Sequence, residues 1–298
     1  MSGRAVVLAV GAVLVLLVGS VAVSARALDR AEWAVEGVTR VVQSALDRVF
    51  GHDEATVTRS DQSTEFSWSG RVAAGDVIEI KGVSGDVKAV ASTGNRVEVV
   101  AVKAGRRSDP AEVRVEVVEH DAGVTVCAVY PTPSGEERDN VCAPGSEGRM
   151  NTRRNDVQVD FEVRVPAGVR FVGRTVNGDV EAEGLDSDVK AVTVNGDIDV
   201  STLGFAEATT VNGSIRAVMG SNTFGDGVEF ETVNGSIELD LPDDIDADLD
   251  ASWVNGGLET DLPFLLQGQV ARRQARGRLG DGGPRLALST VNGSIRIY

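Results

Sequence analysis

The sequence predicts an all-β protein whose second half is a β-solenoid, preceded by an N-terminal transmembrane or signal helix. Three observations predict it. A short motif, Thr-Val-Asn-Gly followed by Asp or Ser and then Val or Ile, recurs through the second half. Valine alternates with polar residues at period two from Phe66 onward, the signature of half-buried strands. The chain opens on an uncharged apolar run from Ala5 to Ala25.

Composition narrows the function classes. The 298 residues carry 29 Lys and Arg against 45 Asp and Glu, a formal charge of −16. Such a surface repels nucleic acid, because nothing offsets the phosphate charge. Abundant glycine (34), scarce proline (8) and frequent valine describe β-rich structure, not disorder. Two cysteines and two histidines rule out most thiolate or imidazole metal sites, and no cofactor motif is present.

The apolar run is long enough to span about 30 Å as a helix, the thickness of a bilayer core. Two readings stand. Val23-Ser24-Ala25 supplies the small residues of a signal-peptide cleavage site, whereas the length of the run suits an uncleaved anchor better. No cysteine lies near it, which excludes a lipoprotein. Charge gives no orientation, since Arg4 precedes the run and Arg26, Arg30 and Arg40 follow it. Residues 1–27 are therefore read as signal anchor or signal peptide.

Residues 28–50 read as an amphipathic helix. Leu28, Ala31, Val35, Val38, Val42, Ala45 and Val49 recur at steps of three and four, and Gly51 is a stop. Residues 51–64 are polar and read as a linker. His52-Asp53-Glu54 lies in it, but one histidine in a solvated run is a poor metal site.

Residues 65–172 form a β-rich first part of the repeat domain. Alternating runs such as Val113–Val117 and Val157–Val165 are separated by turn residues, among them Asp121-Ala122-Gly123 and Pro166-Ala167-Gly168. Cys127 and Cys142 bracket a polar loop. With no other cysteine and an export-type start, a disulfide is the natural reading, and it places the domain outside the cytoplasm.

Residues 173–298 carry the repeat. Asn177, Asn195, Asn212, Asn234, Asn255 and Asn292 mark its six copies, and Gly82–Val87 is an outlying relative. The steps are 18, 17, 22, 21 and 37 residues, so the last reads as two periods, one without its motif. Asn-Gly between apolar residues normally marks a hairpin. A hairpin here would pair Val176 with Asp179 and Thr175 with Val180, leaving neither face clean. A chain continuing in one direction puts Val176, Gly178 and Val180 on one face and Thr175, Asn177 and Asp179 on the other. A period near 20 is the size of one solenoid coil. Stacking then predicts inner columns of Val176 and its equivalents and of Val180 and its equivalents. It also predicts an amide ladder through the six asparagines.

Other polar runs read as solvated surface. Asp240 to Asp250 has the wrong spacing for a calcium loop. Arg272, Arg273, Arg276 and Arg278 form a basic cluster in the period without a motif. The outward column Glu181, Asp199, Arg216, Glu238, Glu259, Arg296 is mixed in sign.

The Thr-Val-Asn-Gly copies, with the run Val157–Val172 leading into the first, resemble a bacterial domain-of-unknown-function family labelled as adhesins and built of β-strand repeats. The resemblance covers about residues 66–298. It implies a right-handed parallel β-helix in the cell envelope and brings no catalytic residues. The reading that follows is a non-enzymatic, adhesin-like structural and interaction protein, membrane-anchored through its N-terminal helix or secreted. Its expected partners are a cell-wall polymer, an envelope protein or another copy of itself. An envelope-stress sensor is the first alternative. A β-helix enzyme acting on polysaccharide is the second, and no Ser-His-Asp set, phosphate loop or isolated carboxylate pair supports it.

Overall fold

The computed structural model describes residues 56–59, 64–146, 148–225, 227–266 and 273–298. The expected signal or anchor segment, the amphipathic helix, His52 and Arg272 lie outside the described residues. Among those described, no helix is long and apolar enough to cross a membrane. Apart from a short 3-10 turn at Pro110–Glu112, the described elements are strands.

In chain order they are β1 (Thr56–Arg59), β2 (Glu65–Gly70), β3 (Val77–Lys81), β4 (Val87–Ser92), β5 (Val97–Ala104), β6 (Arg114–His120), β7 (Gly123–Val129) and β8 (Gln158–Pro166). Next come β9 (Arg170–Arg174), β10 (Val180–Leu185), β11 (Val189–Val192), β12 (Ile198–Thr202), β13 (Ala206–Thr209), β14 (Ile215–Met219), β15 (Val228–Asn234) and β16 (Ile237–Asp240). The last are β17 (Ala247–Asn255), β18 (Leu258–Thr260), β19 (Phe264–Leu266), β20 (Gln274–Leu279), β21 (Arg285–Asn292) and β22 (Ile295–Ile297). β1 falls inside the stretch read as linker and pairs antiparallel with β6.

The strands form two sheets. One has 12 strands in the order β1-β6-β7-β3-β9-β11-β13-β15-β21-β17-β20-β19. The other has 10, in the order β18-β22-β16-β14-β12-β10-β4-β8-β5-β2. The central strands pair in parallel, and successive coils contribute one strand to each sheet. This is a β-solenoid-like stack. Alternation along each strand sends Val87, Val180, Ile198, Ile215, Ile237 and Ile295 into the core as one unbroken column, each at most 1% exposed. Small partners two residues on, such as Ala89, Ala182, Val200 and Ala217, let the sheets approach without large aromatics.

The coil order differs from the chain order at both ends. The β3–β4 coil lies between the later coils β7–β8 and β9–β10. The chain's last coil, β21–β22, lies between β15–β16 and β17–β18. The 37-residue step is therefore not a coil that lost its motif. It contains β18, the antiparallel pair β19–β20, and a return of the chain into an interior position. Antiparallel strands close most of the ends: β6, β1, β5 and β2 at one, β20 and β19 at the other. Covering the terminal strands in this way blunts the exposed edges that a parallel stack otherwise offers to other chains.

The aspartates of β17 and the arginines of β20 face one another across an antiparallel pair, Asp248 with Arg278 and Asp250 with Arg276. Asp250 accepts from Gln274, Arg276 and Arg285 at 3.0–3.2 Å. Burial works against its ionisation, but these three donors outweigh it and hold the carboxyl below its ordinary range.

Candidate functional site

The repeated motif forms the corner where the chain passes from the long sheet to the shorter one. Thr175, Thr193, Thr210, Thr232 and Thr290 are buried, none more than 2% exposed. Each hydroxyl donates to the carbonyl of a motif glycine one coil away: Thr175 to Gly85, Thr193 to Gly178, Thr210 to Gly196, Thr232 to Gly213 and Thr290 to Gly235, at 2.8–3.0 Å. The expected partition of faces is thus corrected. The bend turns threonine inward, and the valine beside it joins a separate small cluster of Val194, Val211, Val233 and Val291 outside the main core. A hydroxyl can be buried here because the corner supplies an acceptor at every level.

Outside the bend the asparagines stand in line. Asn195 Nδ2 donates to Asn177 Oδ1 at 2.8 Å, Asn212 to Asn195 at 2.7 Å and Asn234 to Asn212 at 2.8 Å. Asn292 then donates to Asn234, and Asn255 to Asn292, both at 2.7 Å. The spatial order is 177, 195, 212, 234, 292, 255, because the C-terminal coil is intercalated. All five bonds run in the same sense, so the amide dipoles add along the row.

The residue after each motif glycine builds a second row, headed by Asp160 of β8. Asp160, Asp86, Asp179 and Asp197 each accept the backbone N–H of the next residue in the column through Oδ1, at 2.7–3.0 Å. Ser214 and Ser236 continue the pattern through their hydroxyls at 3.2 Å. The row is acidic at one end and neutral toward the other.

Glycine is required in the corner by close approach. A Cβ on Gly178, Gly196, Gly213, Gly235, Gly293 or Gly256 would lie 1.9–2.1 Å from a glycine carbonyl oxygen of the adjacent coil.

A second polar group lies at the N-terminal end of the stack. Cys127 and Cys142 form a disulfide that fixes part of the 130–157 loop to β7. Beside it, buried Lys81 donates to the carbonyls of Ala143 and Gly145, at 2.5 and 2.7 Å. Buried Glu79 accepts from Arg174 Nε at 2.7 Å, from the Gly145 amide at 2.8 Å and from the Thr125 hydroxyl at 3.1 Å. Because that hydroxyl donates to Glu79, its oxygen is the acceptor for His120 Nε2 at 3.1 Å. His120 also lines an open cleft of about 580 Å³ with Arg71, Asp76, Asn95 and Glu119. Sequence reasoning missed this network. Outward charges in β3 hinted at it, but the loop that covers them and the β3–β9 adjacency that brings Arg174 to Glu79 are non-local.

The outward column on the shorter sheet alternates in sign from Glu259 through Arg296, Glu238 and Arg216 to Asp199, and then sets Asp199 beside Glu181, two acids, before Lys88. Lys88 contacts Glu181 at 2.9 Å, and Arg296 bridges Glu238 and Glu259 at 2.8 and 3.2 Å. Among the described residues no three His, Cys, Asp or Glu side chains are grouped to hold a metal ion.

A family model described as Toastrack DUF4097 matches residues 76–298. Among solved structures, the chain is similar to a putative cell adhesion protein from Clostridium sporogenes, at 10% identity and a TM-score of 0.43, over 82% of this chain and 98% of that one. It is also similar to a putative adhesin from Bacteroides fragilis, at 12% identity and a TM-score of 0.33, over 78% and 97% of the two chains. A putative adhesin from Parabacteroides distasonis gives 13% identity and a TM-score of 0.28 over the same shares. No curated protein matches the chain in sequence.

Proposed function

The chain belongs to the Toastrack family, DUF4097, and from that membership we propose that it is a non-enzymatic, adhesin-like interaction module of the cell envelope. The observation that carries the reading is the corner row. Six exposed amides in register, flanked by a row of carboxylates and hydroxyls, form a rigid and periodic polar surface. Each amide is already ordered by its neighbours, so a partner meeting the row costs little further side-chain entropy. A periodic surface suits a periodic partner: a cell-wall polymer, a repeated envelope protein or another copy of this chain.

Two features support an extracytoplasmic place. The Cys127–Cys142 disulfide belongs to an oxidising compartment. The uncharged run Ala5–Ala25 supplies an export signal or a single-pass anchor. In this reading the coil is right-handed, as parallel crossover connections are.

The test uses the full-length chain in cells. Protease added to intact cells should remove the repeat domain, and binding to purified wall polymer or whole cells should fall at least severalfold in an Asn195→Asp/Asn212→Asp variant that keeps its melting temperature. A domain protected inside the cytoplasm, or binding indifferent to the corner row, would defeat the proposal.

A further inference from the structure

Six Asn-Gly pairs lie in this sequence, and Asn-Gly is the dipeptide most prone to cyclise. The reaction needs the glycine amide nitrogen as nucleophile and the asparagine side-chain carbonyl carbon as electrophile. In five copies the fold occupies that nitrogen. Gly178 N donates to Asn195 O, Gly196 N to Asn212 O, Gly213 N to Asn234 O, Gly235 N to Asn292 O and Gly293 N to Asn255 O, all at 2.9–3.0 Å. Each bond reaches the next coil outward along the stack.

Among the described residues the sixth copy has no next coil at the corner. β18 is the edge of its sheet, and the Gly256 N–H has no acceptor among the described residues. Asn255 and Gly256 are both exposed. Asn255 gives its amide to Asn292, but its own Oδ1 accepts nothing among the described residues, so its side chain is tethered at one end alone. Among the described residues, the close approach that holds the interior copies rigid therefore acts on Asn255-Gly256 from one side, that of Gly293.

We infer that Asn255-Gly256 is a built-in modification site, the copy at which this protein deamidates spontaneously. Gly256 N loses its proton and attacks Asn255 Cγ. A C–N bond forms, the Cγ–Nδ2 bond breaks, and ammonia leaves with the proton, closing a five-membered succinimide. Water then opens the ring at either carbonyl to give aspartate or isoaspartate. Either product lacks the amide donor and loses the bond to Asn292, and each adds a negative charge at the end of the row. Isoaspartate also lengthens the backbone at the corner between β17 and β18. Three residue pairs hold β18 to β22, namely Leu258–Ile295, Glu259–Arg296 and Thr260–Ile297, so the edge strand is the element that shifts.

The experiment ages the full-length protein at mildly alkaline pH and follows each Asn-Gly peptide by mass spectrometry, scoring amide-to-acid conversion and isoaspartate. The expected result is conversion at Asn255 about tenfold or more faster than at any interior copy, because interior copies react through local opening of the stack. In urea, with the disulfide reduced, the six rates should converge. An Asn255→Ser variant should remove the fast event. Native rates that are equal across the six sites, a faster interior site, or the same spread of rates in urea would overturn the inference.

Discussion

Gly196 lies so close to Gly178 that a Cβ on Gly196 would sit 2.0 Å from the Gly178 carbonyl oxygen. That oxygen also accepts from Thr193 at 2.9 Å and cannot retreat without breaking the bond. Gly196→Ala should therefore destabilise the protein by about 3 kcal/mol, at the upper end for overpacking against an unyielding neighbour. Gly257→Ala is the control, since nothing lies within 4 Å of its added Cβ. Urea midpoints at unchanged slope measure both. A tolerated Gly196→Ala would show that the coils can spread.

The threonine column is expected to contribute through its hydroxyls, not its methyls. Thr193 is fully buried and bonded to Gly178 O. Thr193→Val keeps the shape, removes the donor and leaves that carbonyl one partner short, so it should cost about 1–2 kcal/mol. Thr193→Ser keeps the donor and should cost less. Equal losses in the two variants would assign the column to packing alone.

Much of the corner was legible because it is local and repeated. A hairpin pairing Val176 with Asp179 leaves neither face clean, so the residues themselves favour a chain running in one direction, and the spacing of the asparagines places them in one row. The inward turn of Thr175 was not legible, because strict alternation presumes a straight strand and the corner bends. The coil order was not legible either. A 37-residue step looks like two periods, and nothing local in Arg285–Ile297 says that it returns to the middle of the stack. The pairing of Asp250 with Arg276 was hidden for the same reason: each run looks solvated until the strands are laid side by side.

Disulfide and buried charges should prove coupled. Cys142 anchors the segment whose carbonyls at Ala143 and Gly145 receive Lys81. Replacing both cysteines by serine opens a loop with a sequence separation of 15. That should cost about 3 kcal/mol in the chain-entropy account. Lys81→Met in the intact protein removes the donor from the buried Ala143 carbonyl and from the Gly145 carbonyl at the surface, and should itself be destabilising. Once the loop is released those carbonyls are hydrated, so the two changes should fall short of additivity by about 1 kcal/mol or more in a double-mutant cycle. Strict additivity would mean that the disulfide does not hold this cap.

Alkaline pH should weaken the same region through Tyr130. Burial is the main cause that pushes its phenol up from 10.0 to about 12. Its hydroxyl donates to Val157 O at 2.8 Å, a bond that the phenolate cannot make. Below pH 10 folded and unfolded chains both keep the proton, and the contribution is complete. Between pH 10 and about 12 the unfolded chain has released it while the folded chain retains it, so stability falls as pH rises, by about 2–3 kcal/mol in all. Urea titrations at pH 9 and at pH 11.5 should show this loss in the natural protein and a smaller one in Tyr130→Phe. Parallel pH curves for the two would place the loss elsewhere.

Truncation at the C-terminus should not behave as loss of a terminal coil. β21 pairs with β15 on one side and with β17 on the other, and β22 likewise joins β16 to β18. Deleting residues 285–298 removes an interior layer. It strips the partners of Leu249 and Ala251 along β17 and cuts the amide row between Asn234 and Asn255. The antiparallel pair β19–β20 rests on β17 and goes with it. Hydrogen exchange should therefore show protection lost in β17, β18, β19 and β20 as a unit, while β9 to β14 keep theirs. Protection retained in β17 after the deletion would mean that β17 can close onto β15 directly, and that the intercalated coil is dispensable to the stack.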